Sequence, residues 1–156
     1  MEIKNIKPEE SFMQLALEQA RMAALCNEVP IGAVIVHRPS QQVIAKAHNL
    51  TKQSHDPTAH AELIALRQAC LHLQAQRIPE CDLYVTLEPC PMCTSAISYA
   101  RINHVYFGAT DAKSGGFISG PNLCTHPVLH HKVSYTKDIM ADESASLLQN
   151  FFKARR

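Results

Sequence analysis

The sequence predicts an α/β fold, a three-layer α/β/α sandwich in which helices cover both faces of a mixed sheet. Short apolar runs typical of strands are interleaved along the chain with longer helix-favouring stretches. The 156 residues are 46% hydrophobic and 19% charged, which is the balance of an ordinary globular protein. A chain of this length can bury a core without disulfides. We therefore expect one domain over residues 1–156.

The first third of the chain predicts a helix followed by a β-hairpin. Pro8 and the acidic residues after it form a helix start, and residues 12–24 carry a broad apolar stripe. Residues 31–36 are a compact apolar run, and residues 43–47 resume an alternation of apolar and polar side chains. Turn-forming residues at 38–41 separate the two runs, so we expect them to pair as neighbouring strands.

The middle of the chain predicts two helices between strands. Asp56-Pro57-Thr58 is a helix N-terminal signal, and the run from Ala59 to Leu73 favours helix. Residues 83–87 and 104–109 are strand-like, and Pro89 opens a helix that runs to about Tyr99. The predicted second helix therefore carries His60 and Glu62 in its first turn.

The last third of the chain predicts a long loop and a closing helix. Residues 113–131 contain Gly, Pro and His and have no clear periodicity. A short strand is expected over residues 132–135, and residues 142–155 form an amphipathic helix. These elements complete the alternation of strands and helices on which the sandwich is predicted.

Composition excludes several classes of protein. Residues 1–10 lack the apolar stretch of a secretion signal, and no apolar run approaches the roughly 20 residues that cross a bilayer. We therefore expect a soluble cytoplasmic protein with no membrane partner. The net charge of +1 does not by itself indicate a nucleic-acid binder. Six cysteines without a secretion signal favour reduced thiols or metal ligands over a disulfide framework.

A ligand pattern typical of zinc sites carries the chemistry. His60-Ala61-Glu62 is followed, after residues 63–88, by Pro89-Cys90-Pro91-Met92-Cys93. Cys90 and Cys93 are three positions apart at a predicted helix start, so both sulfurs lie on one face and can chelate one tetrahedral ion. Helix N-termini also lower the pKa of a thiol, which favours the thiolate that a metal needs. We predict that His60, Cys90 and Cys93 bind one Zn²⁺.

The number of ligands separates a catalytic from a structural zinc ion. Structural sites use four protein ligands, whereas catalytic sites keep one position for a water molecule, whose pKa falls to roughly 7. The motif supplies three ligands, and Glu62 is placed to accept and deliver protons. Two alternatives stay open at this point. The cysteines could form a redox pair, or a fourth thiol could close a structural site, from Cys70, Cys81 or Cys124.

On these two motifs the chain resembles the cytidine deaminase superfamily, in which a Glu at this spacing acts as the proton shuttle. Within that superfamily, four further stretches are similar to the bacterial tRNA-specific adenosine deaminases. They are residues 27–34, 55–62, 84–90 and 107–113.

The resemblance implies a five-stranded sheet, a homodimer, and one zinc ion per subunit with no organic cofactor. It also implies that Glu62 is catalytic and that adenosine becomes inosine at the wobble position of an arginine tRNA, with the anticodon stem-loop as the partner. A free-base deaminase of the guanine type uses the same metal motif and is the alternative. A zinc-stabilised RNA-binding module without turnover is a second one, although it leaves Glu62 without a role.

The resemblance also implies substrate contacts at Asn49, Asp111 and Lys113. An Asn side chain can both donate to and accept from a purine edge, but Asn49 could instead end the hairpin. Asp111 matches an acidic residue near the substrate sugar and backbone, but it could instead form a turn. Lys113 could contact phosphates, as could cations of the last helix, or these could be solvated. The latter are Lys153, Arg155 and Arg156.

One segment departs from the family pattern. Residues 117–127 replace a Gly-Ser-Leu-Met-like stretch that many members carry. The three histidines in and after this segment could touch RNA or lie free on the surface, and they are His126, His130 and His131.

Overall fold

Five strands form one mixed sheet in the computed structural model, which describes residues 7–156; the first six residues of the predicted domain lie outside the described part. The helices are α1 (Pro8–Leu25), α2 (Ala61–Leu73), α3 (Pro91–Tyr99) and α4 (Ala141–Lys153). The strands are β1 (Gly32–His37), β2 (Gln42–His48), β3 (Cys81–Leu87), β4 (His104–Ala109) and β5 (Ser134–Thr136).

The order of strands across the sheet is β2-β1-β3-β4-β5. β1 pairs antiparallel with both β2 and β3, whereas β3 with β4 and β4 with β5 are parallel. Leu87 lies opposite Ala109 at the ends of β3 and β4. The segments that leave these two strands therefore begin side by side at one edge of the sheet.

Helices cover both faces of the sheet, which confirms the predicted three layers. On one face Ala33 and Ile35 of β1 belong to a core cluster that includes residues of α2 and α3. On the other face Val34 and Val36 of β1 pack with α1, and Leu147 of α4 joins that cluster. Strand side chains alternate between faces, so β1, in the middle of the sheet, contributes to both cores.

Close packing of α1 against β1 depends on a glycine. A Cβ atom added at Gly32 would lie 2.0 Å from the Ala16 carbonyl oxygen and 2.6 Å from the Ala20 nitrogen. No side chain fits in that space, so the helix backbone rests directly on the strand. The Gly32 amide donates to Thr86 Oγ1 of β3, which holds the start of β1 in place.

The two helices that carry the zinc motif begin two residues later than predicted. Asp56 Oδ1 accepts hydrogen bonds from the Thr58 amide and hydroxyl, so residues 56–58 form a turn before α2 and not its first residues. His60 is consequently the N-cap of α2, and Glu62 is in its first turn. In the same way α3 starts at Pro91 and Cys90 is its N-cap.

The last strand is displaced from its predicted position because pairing with β4 sets its bounds. Ser134 lies opposite His104 and Thr136 opposite Tyr106, so β5 covers residues 134–136 and not 132–135. The closing helix α4 ends at Lys153, two residues before the predicted end.

The long loop after β4 is anchored in the core. Phe117 is completely buried, and its ring packs against those of Phe107 and Tyr135 at centroid distances of 6.1 and 5.5 Å. A 3-10 turn, Leu123–Thr125, interrupts the remainder. The residues that depart from the family pattern thus supply a core side chain. Among residues 7–156, no helix combines the length and the apolar character that crossing a bilayer would require.

Candidate active site

The structure brings His60, Cys90 and Cys93 together at the start of two helices. His60 Nδ1 lies 3.6 Å from Cys90 Sγ and 3.5 Å from Cys93 Sγ. His60 and Cys90 are the N-caps of α2 and α3, and neither side chain forms a capping hydrogen bond. Both side chains are therefore free to bind a metal while the helix ends aim them at one point.

The spacing of these atoms fits zinc. A tetrahedral ion bound at roughly 2.0 Å from nitrogen and 2.3 Å from sulfur places those two ligand atoms roughly 3.5 Å apart. The two observed nitrogen-to-sulfur distances have this value, and all three ligand atoms lie within 4.8 Å of one another. One imidazole and two thiols form a donor set that favours zinc.

The group contains three ligands and not four. Among residues 7–156, Cys70, Cys81 and Cys124 lie outside it, so none of them supplies the fourth ligand of a structural site. All six cysteines are free thiols, and Cys90 and Cys93 are not joined as a redox disulfide. A three-ligand group of this kind is typical of a catalytic centre, in which the fourth position takes water or substrate.

Glu62 is buried beside the two thiols, with 4% of its surface exposed. Burial raises the pKa of Glu62 to about 7, because a charged carboxylate is poorly solvated there. A cation bound to the neighbouring thiols would lower this pKa again. Burial and a bound cation therefore act on the Glu62 pKa in opposite directions, so the carboxyl group can both take up and release a proton.

The two thiols and the imidazole change one another's pKa values. A hydrogen bond from the Cys93 thiol lowers the pKa of Cys90 to about 4, and a hydrogen bond with His60 adds to the effect. The bond to Cys90 is also the largest cause that raises the pKa of Cys93, and burial acts in the same direction. Hydrogen bonding to Cys90 raises the pKa of His60. The group thus holds Cys90 as a thiolate, which is the form that binds metal.

Asn49 lies at the end of the hairpin and also caps the neighbouring helix. It follows β2 directly, is buried, and its Oδ1 accepts a hydrogen bond of 2.8 Å from the Ala61 amide at the start of α2. The side-chain oxygen therefore already accepts one hydrogen bond within the fold, and a carbonyl oxygen can accept two. The amide NH₂ carries the two donors that the predicted contact with a purine edge would use.

Asp111 and Lys113 line a cleft of about 860 Å³ between the end of β4 and α4. Asp111 Oδ1 accepts hydrogen bonds from the Lys113 and Ser114 amides, which is the turn geometry of the alternative interpretation. The Lys113 side chain is exposed. Ile31, Leu87 and Phe152 give the cleft an apolar surface beside these charges.

The other cations and histidines that were considered for RNA contact divide into two groups. Arg155 donates to Asn27 Oδ1 through Nε and Nη2, at 3.0 and 2.7 Å, and its guanidinium stacks on the Phe151 ring. His131 Nε2 bonds the Ile102 carbonyl oxygen, and His126 Nδ1 accepts from the Val128 amide. These three side chains therefore have partners within the protein. The side chains of His130, Lys153 and Arg156 are exposed, as are those of His126 and Arg155 outside these bonds.

Comparison with known proteins agrees with this geometry. The family model described as the cytidine and deoxycytidylate deaminase zinc-binding region matches residues 6–109. The tRNA-specific adenosine deaminase of Agrobacterium fabrum is 47% identical over 145 residues, which cover 93% of this chain and 94% of that protein. The chain belongs to the tRNA-specific adenosine deaminase family.

The solved structures that resemble this chain include deaminases of two kinds. A structure from a study of A-to-I editing by tRNA:A34 deaminases at the wobble position has a TM-score of 0.86 and 47% identity, covering 88% of this chain and 99% of its own. The guanine deaminase of Bacillus subtilis has a TM-score of 0.62 and 41% identity, but covers 65% of this chain and 64% of its own. The likeness to the tRNA:A34 deaminase structure is thus more complete than the likeness to this guanine deaminase.

Membership in this zinc-binding family and the geometry of the ligand group agree on the cofactor. The His60, Cys90 and Cys93 group suits one zinc ion, as the sequence motif predicted.

Two buried carboxylates that anchor loops were missed in the sequence. Glu28 accepts hydrogen bonds from the Lys52 and Gln53 amides, and Glu88 accepts from backbone amides of residues 111–119. Burial raises the pKa of Glu88, but the hydrogen bonds from Ser119 and its neighbours outweigh it and lower this pKa overall. Their partners are distant in sequence, so no local pattern indicated these roles.

We expect Cys90→Ala to lose zinc, because two protein ligands hold the ion far more weakly than three. Elemental analysis of the purified protein should find about one zinc ion per chain in the wild type and well under half of that in the variant. Cys124→Ala is the matched control, since this thiol lies outside the group, and it should keep its zinc. Full zinc content in Cys90→Ala would contradict the assignment of the ligand.

Proposed function

We propose that this protein deaminates adenosine to inosine at the wobble position of a tRNA anticodon loop. One observation carries the proposal: a three-ligand zinc group with a buried carboxyl group, Glu62, directly beside it. Near-full-length similarity to tRNA-specific adenosine deaminases supports the choice of substrate. We also propose that residues 1–156 act as one domain, in the cytoplasm, where tRNA is decoded.

We assign the metal to His60, Cys90 and Cys93 and proton transfer to Glu62. Zinc, when bound there, supplies the Lewis acidity that makes water a nucleophile near neutral pH. The Glu62 carboxylate takes a proton from the attacking water and gives it to the ring nitrogen next to C6 of adenine. It then carries the second proton to the amine that leaves from C6. Water and adenosine are consumed, and inosine and ammonia are formed.

We assign recognition of the base to Asn49. Its side chain is held by the bond from the Ala61 amide, so the remaining amide NH₂ has one fixed direction. A donor fixed in this way can bond to an acceptor atom of a purine ring without first losing side-chain entropy. The bond also joins Asn49 to α2, which carries Glu62, so the base reader and the proton carrier sit on one rigid unit.

We assign the sugar and phosphate backbone to the cleft that contains Asp111 and Lys113. Lys113 is exposed at its rim, and the chain's C-terminal Arg156 lines it as well. Cations beside an apolar surface suit RNA whose bases are unstacked, as they are in an anticodon loop. A loop base can also leave its stack at low energetic cost, which an enzyme acting on a single base requires.

We expect an anticodon stem-loop with adenosine at the wobble position to release ammonia and form inosine, whereas free guanine, cytosine and adenine do not react. Mass spectrometry of digested RNA and an ammonia assay measure both products. Turnover of guanine without turnover of RNA would support the guanine-deaminase alternative instead.

Glu62→Ala completes this experiment, since it should keep one zinc ion and lose at least about 100-fold in rate, the smaller end of what acid–base catalysis contributes. The exposed carboxylate variant Glu143→Ala should behave as wild type. RNA binding without turnover in the wild type would instead favour the RNA-binding module.

Lys113→Ala should weaken RNA binding without changing the chemistry. Loss of one phosphate contact should raise KM for the stem-loop about threefold to tenfold and reduce the slope of log KM against log salt by about 1. Lys46→Ala is the control, because Lys46 is exposed on β2 and does not line the cleft. The assignment is wrong if both variants have the same salt slope as the wild type.

We propose that two copies form a homodimer through the face of α2 and α3 that points away from the sheet. Large apolar side chains are exposed there, with Leu71 at 79% and Tyr99 at 70%. A shallow cavity between the two helices, lined by Leu63, Ala96 and Tyr99, could receive a side chain of the second copy. Exposed apolar patches on a folded chain mark contact surfaces, and a two-fold dimer buries the same patch on both copies.

Tyr99→Asp should shift the protein from the mass of two chains to that of one, because it places a charge in this apolar contact. Size-exclusion chromatography with light scattering at micromolar concentration measures the mass. Met22→Asp on α1, which covers the opposite face of the sheet, should leave the dimer intact. Dissociation of both variants, or of neither, would argue against this surface.

A further inference from the structure

Glu88 is a buried carboxylate that the reaction does not use directly. It has 2% of its surface exposed and follows β3, two residues before Cys90. Both carboxylate oxygens point to the loop that leaves β4 and not to the metal ligands. A charged group removed from water is destabilising unless hydrogen bonds replace its hydration, so its partners define its role.

Four donors from one loop bind this carboxylate. Oε1 accepts from the Asp111 amide at 3.0 Å and from the Ser119 hydroxyl at 2.7 Å. Oε2 accepts from the Ile118 amide at 2.9 Å and from the Ser119 amide at 2.8 Å. Every bond is within normal hydrogen-bond distance, and bonds to a charged acceptor are about twice as strong as neutral ones. One side chain therefore ties both ends of the segment 111–119.

The backbone around Glu88 strengthens the connection. The Glu88 amide donates to the Ala109 carbonyl oxygen, and the Gly116 amide donates to the Pro89 carbonyl oxygen, both at 2.9 Å. A Cβ atom added at Gly115 would lie 2.7 Å from the Glu88 carboxyl carbon and 2.4 Å from the Asp111 carbonyl oxygen. The loop backbone thus approaches the carboxylate so closely that only a glycine fits at position 115.

The geometry of this anchor points to a positioning role. We propose that Glu88 holds the segment 111–119, with Asp111 and Lys113, in a set position relative to the Cys90 segment, so that the substrate cleft and the metal group keep one spacing. The proposal rests on the proposed function, because it gives the cleft its purpose in binding RNA. Glu88 touches neither ligand atom nor reacting atom, and acts through the loop.

Glu88→Gln tests the proposal, since it keeps the shape but turns one acceptor oxygen into a donor that faces two other donors. Zinc content should stay at one per chain. KM for the stem-loop should rise roughly tenfold, about the effect of one lost charge-assisted bond, while kcat at saturating RNA stays within about threefold. Amide hydrogen exchange of peptides from 111–119 should speed up, and that of peptides from 50–56, which Glu28 anchors, should not.

Two further variants keep the test decisive. Ser119→Ala removes one donor and leaves the three backbone bonds, so it should change KM less than about twofold. Gly115→Ala places a methyl group against the Glu88 carboxyl group and so pushes the loop away from it. It should give the changes in KM and exchange that are expected of Glu88→Gln, and it provides the test if Glu88→Gln does not fold. The positioning role of Glu88 would be overturned if Glu88→Gln lost zinc, left the exchange rate of 111–119 unchanged, or lowered kcat alone. It would also be overturned if both Glu88→Gln and Gly115→Ala failed to fold. Hydrogen exchange needs no activity, so failure of the wild type to deaminate RNA would refute the proposed function separately.

Discussion

The approach of two helix N-termini to each other is the constraint on which the rest of this structure depends. α2 and α3 begin at His60 and Cys90, and their first residues bring one imidazole nitrogen within 3.6 Å of two sulfurs. Three polar ligand groups at this distance compete for protons, as the opposite pKa directions of Cys90 and Cys93 indicate. A cation held by His60, Cys90 and Cys93 would end that competition, because metal ligands bind in their deprotonated forms. The same burial that serves the metal places Glu62 where a proton can be taken up and released.

Buried polar side chains hold the loops that follow β2 and β4, in addition to the apolar packing of Phe117. Asn49 joins the end of β2 to the start of α2, Glu28 binds the amides of the following loop, and Glu88 binds those of residues 111–119. Loops carry backbone donors that secondary structure does not satisfy, and a buried carboxylate can accept several of them at once. The loops at the edge of the sheet where β3 and β4 end are therefore fixed by hydrogen bonds although most of their residues are in no helix or strand. Rigid placement matters for catalysis because groups that are already oriented need not be ordered during the reaction.

The proposed substrate cleft combines elements from distant parts of the chain. Ile31 and Leu87 line one side, and Phe152 of α4 lines another. Arg155 bonds to Asn27, which lies in the connection between α1 and β1, and so fastens the end of α4. Arg155 carries a charge that could bind phosphate, but its guanidinium is bonded within the protein and lines the cleft. Lys113 and the chain end supply the positive charge. The overall net charge of +1 conceals this local arrangement, which is why composition did not indicate a nucleic-acid substrate.

The sequence by itself determined the order of elements, the three layers and the ligand group, because periodicity, helix-start residues and ligand spacing are local properties. Element ends were less accurate: residues 56–58 are a turn, since Asp56 bonds its own neighbour Thr58. Tertiary structure decided which side chains are available to bind metal or substrate and which are bonded within the fold. It excluded Cys70, Cys81 and Cys124 from the metal group, used half of Asn49 as a helix cap, and joined Arg155 to a residue 128 positions away. It also gave Glu88 partners 23 to 31 positions away. Such contacts depend on how strands pair and helices dock, and no local pattern in the chain encodes them.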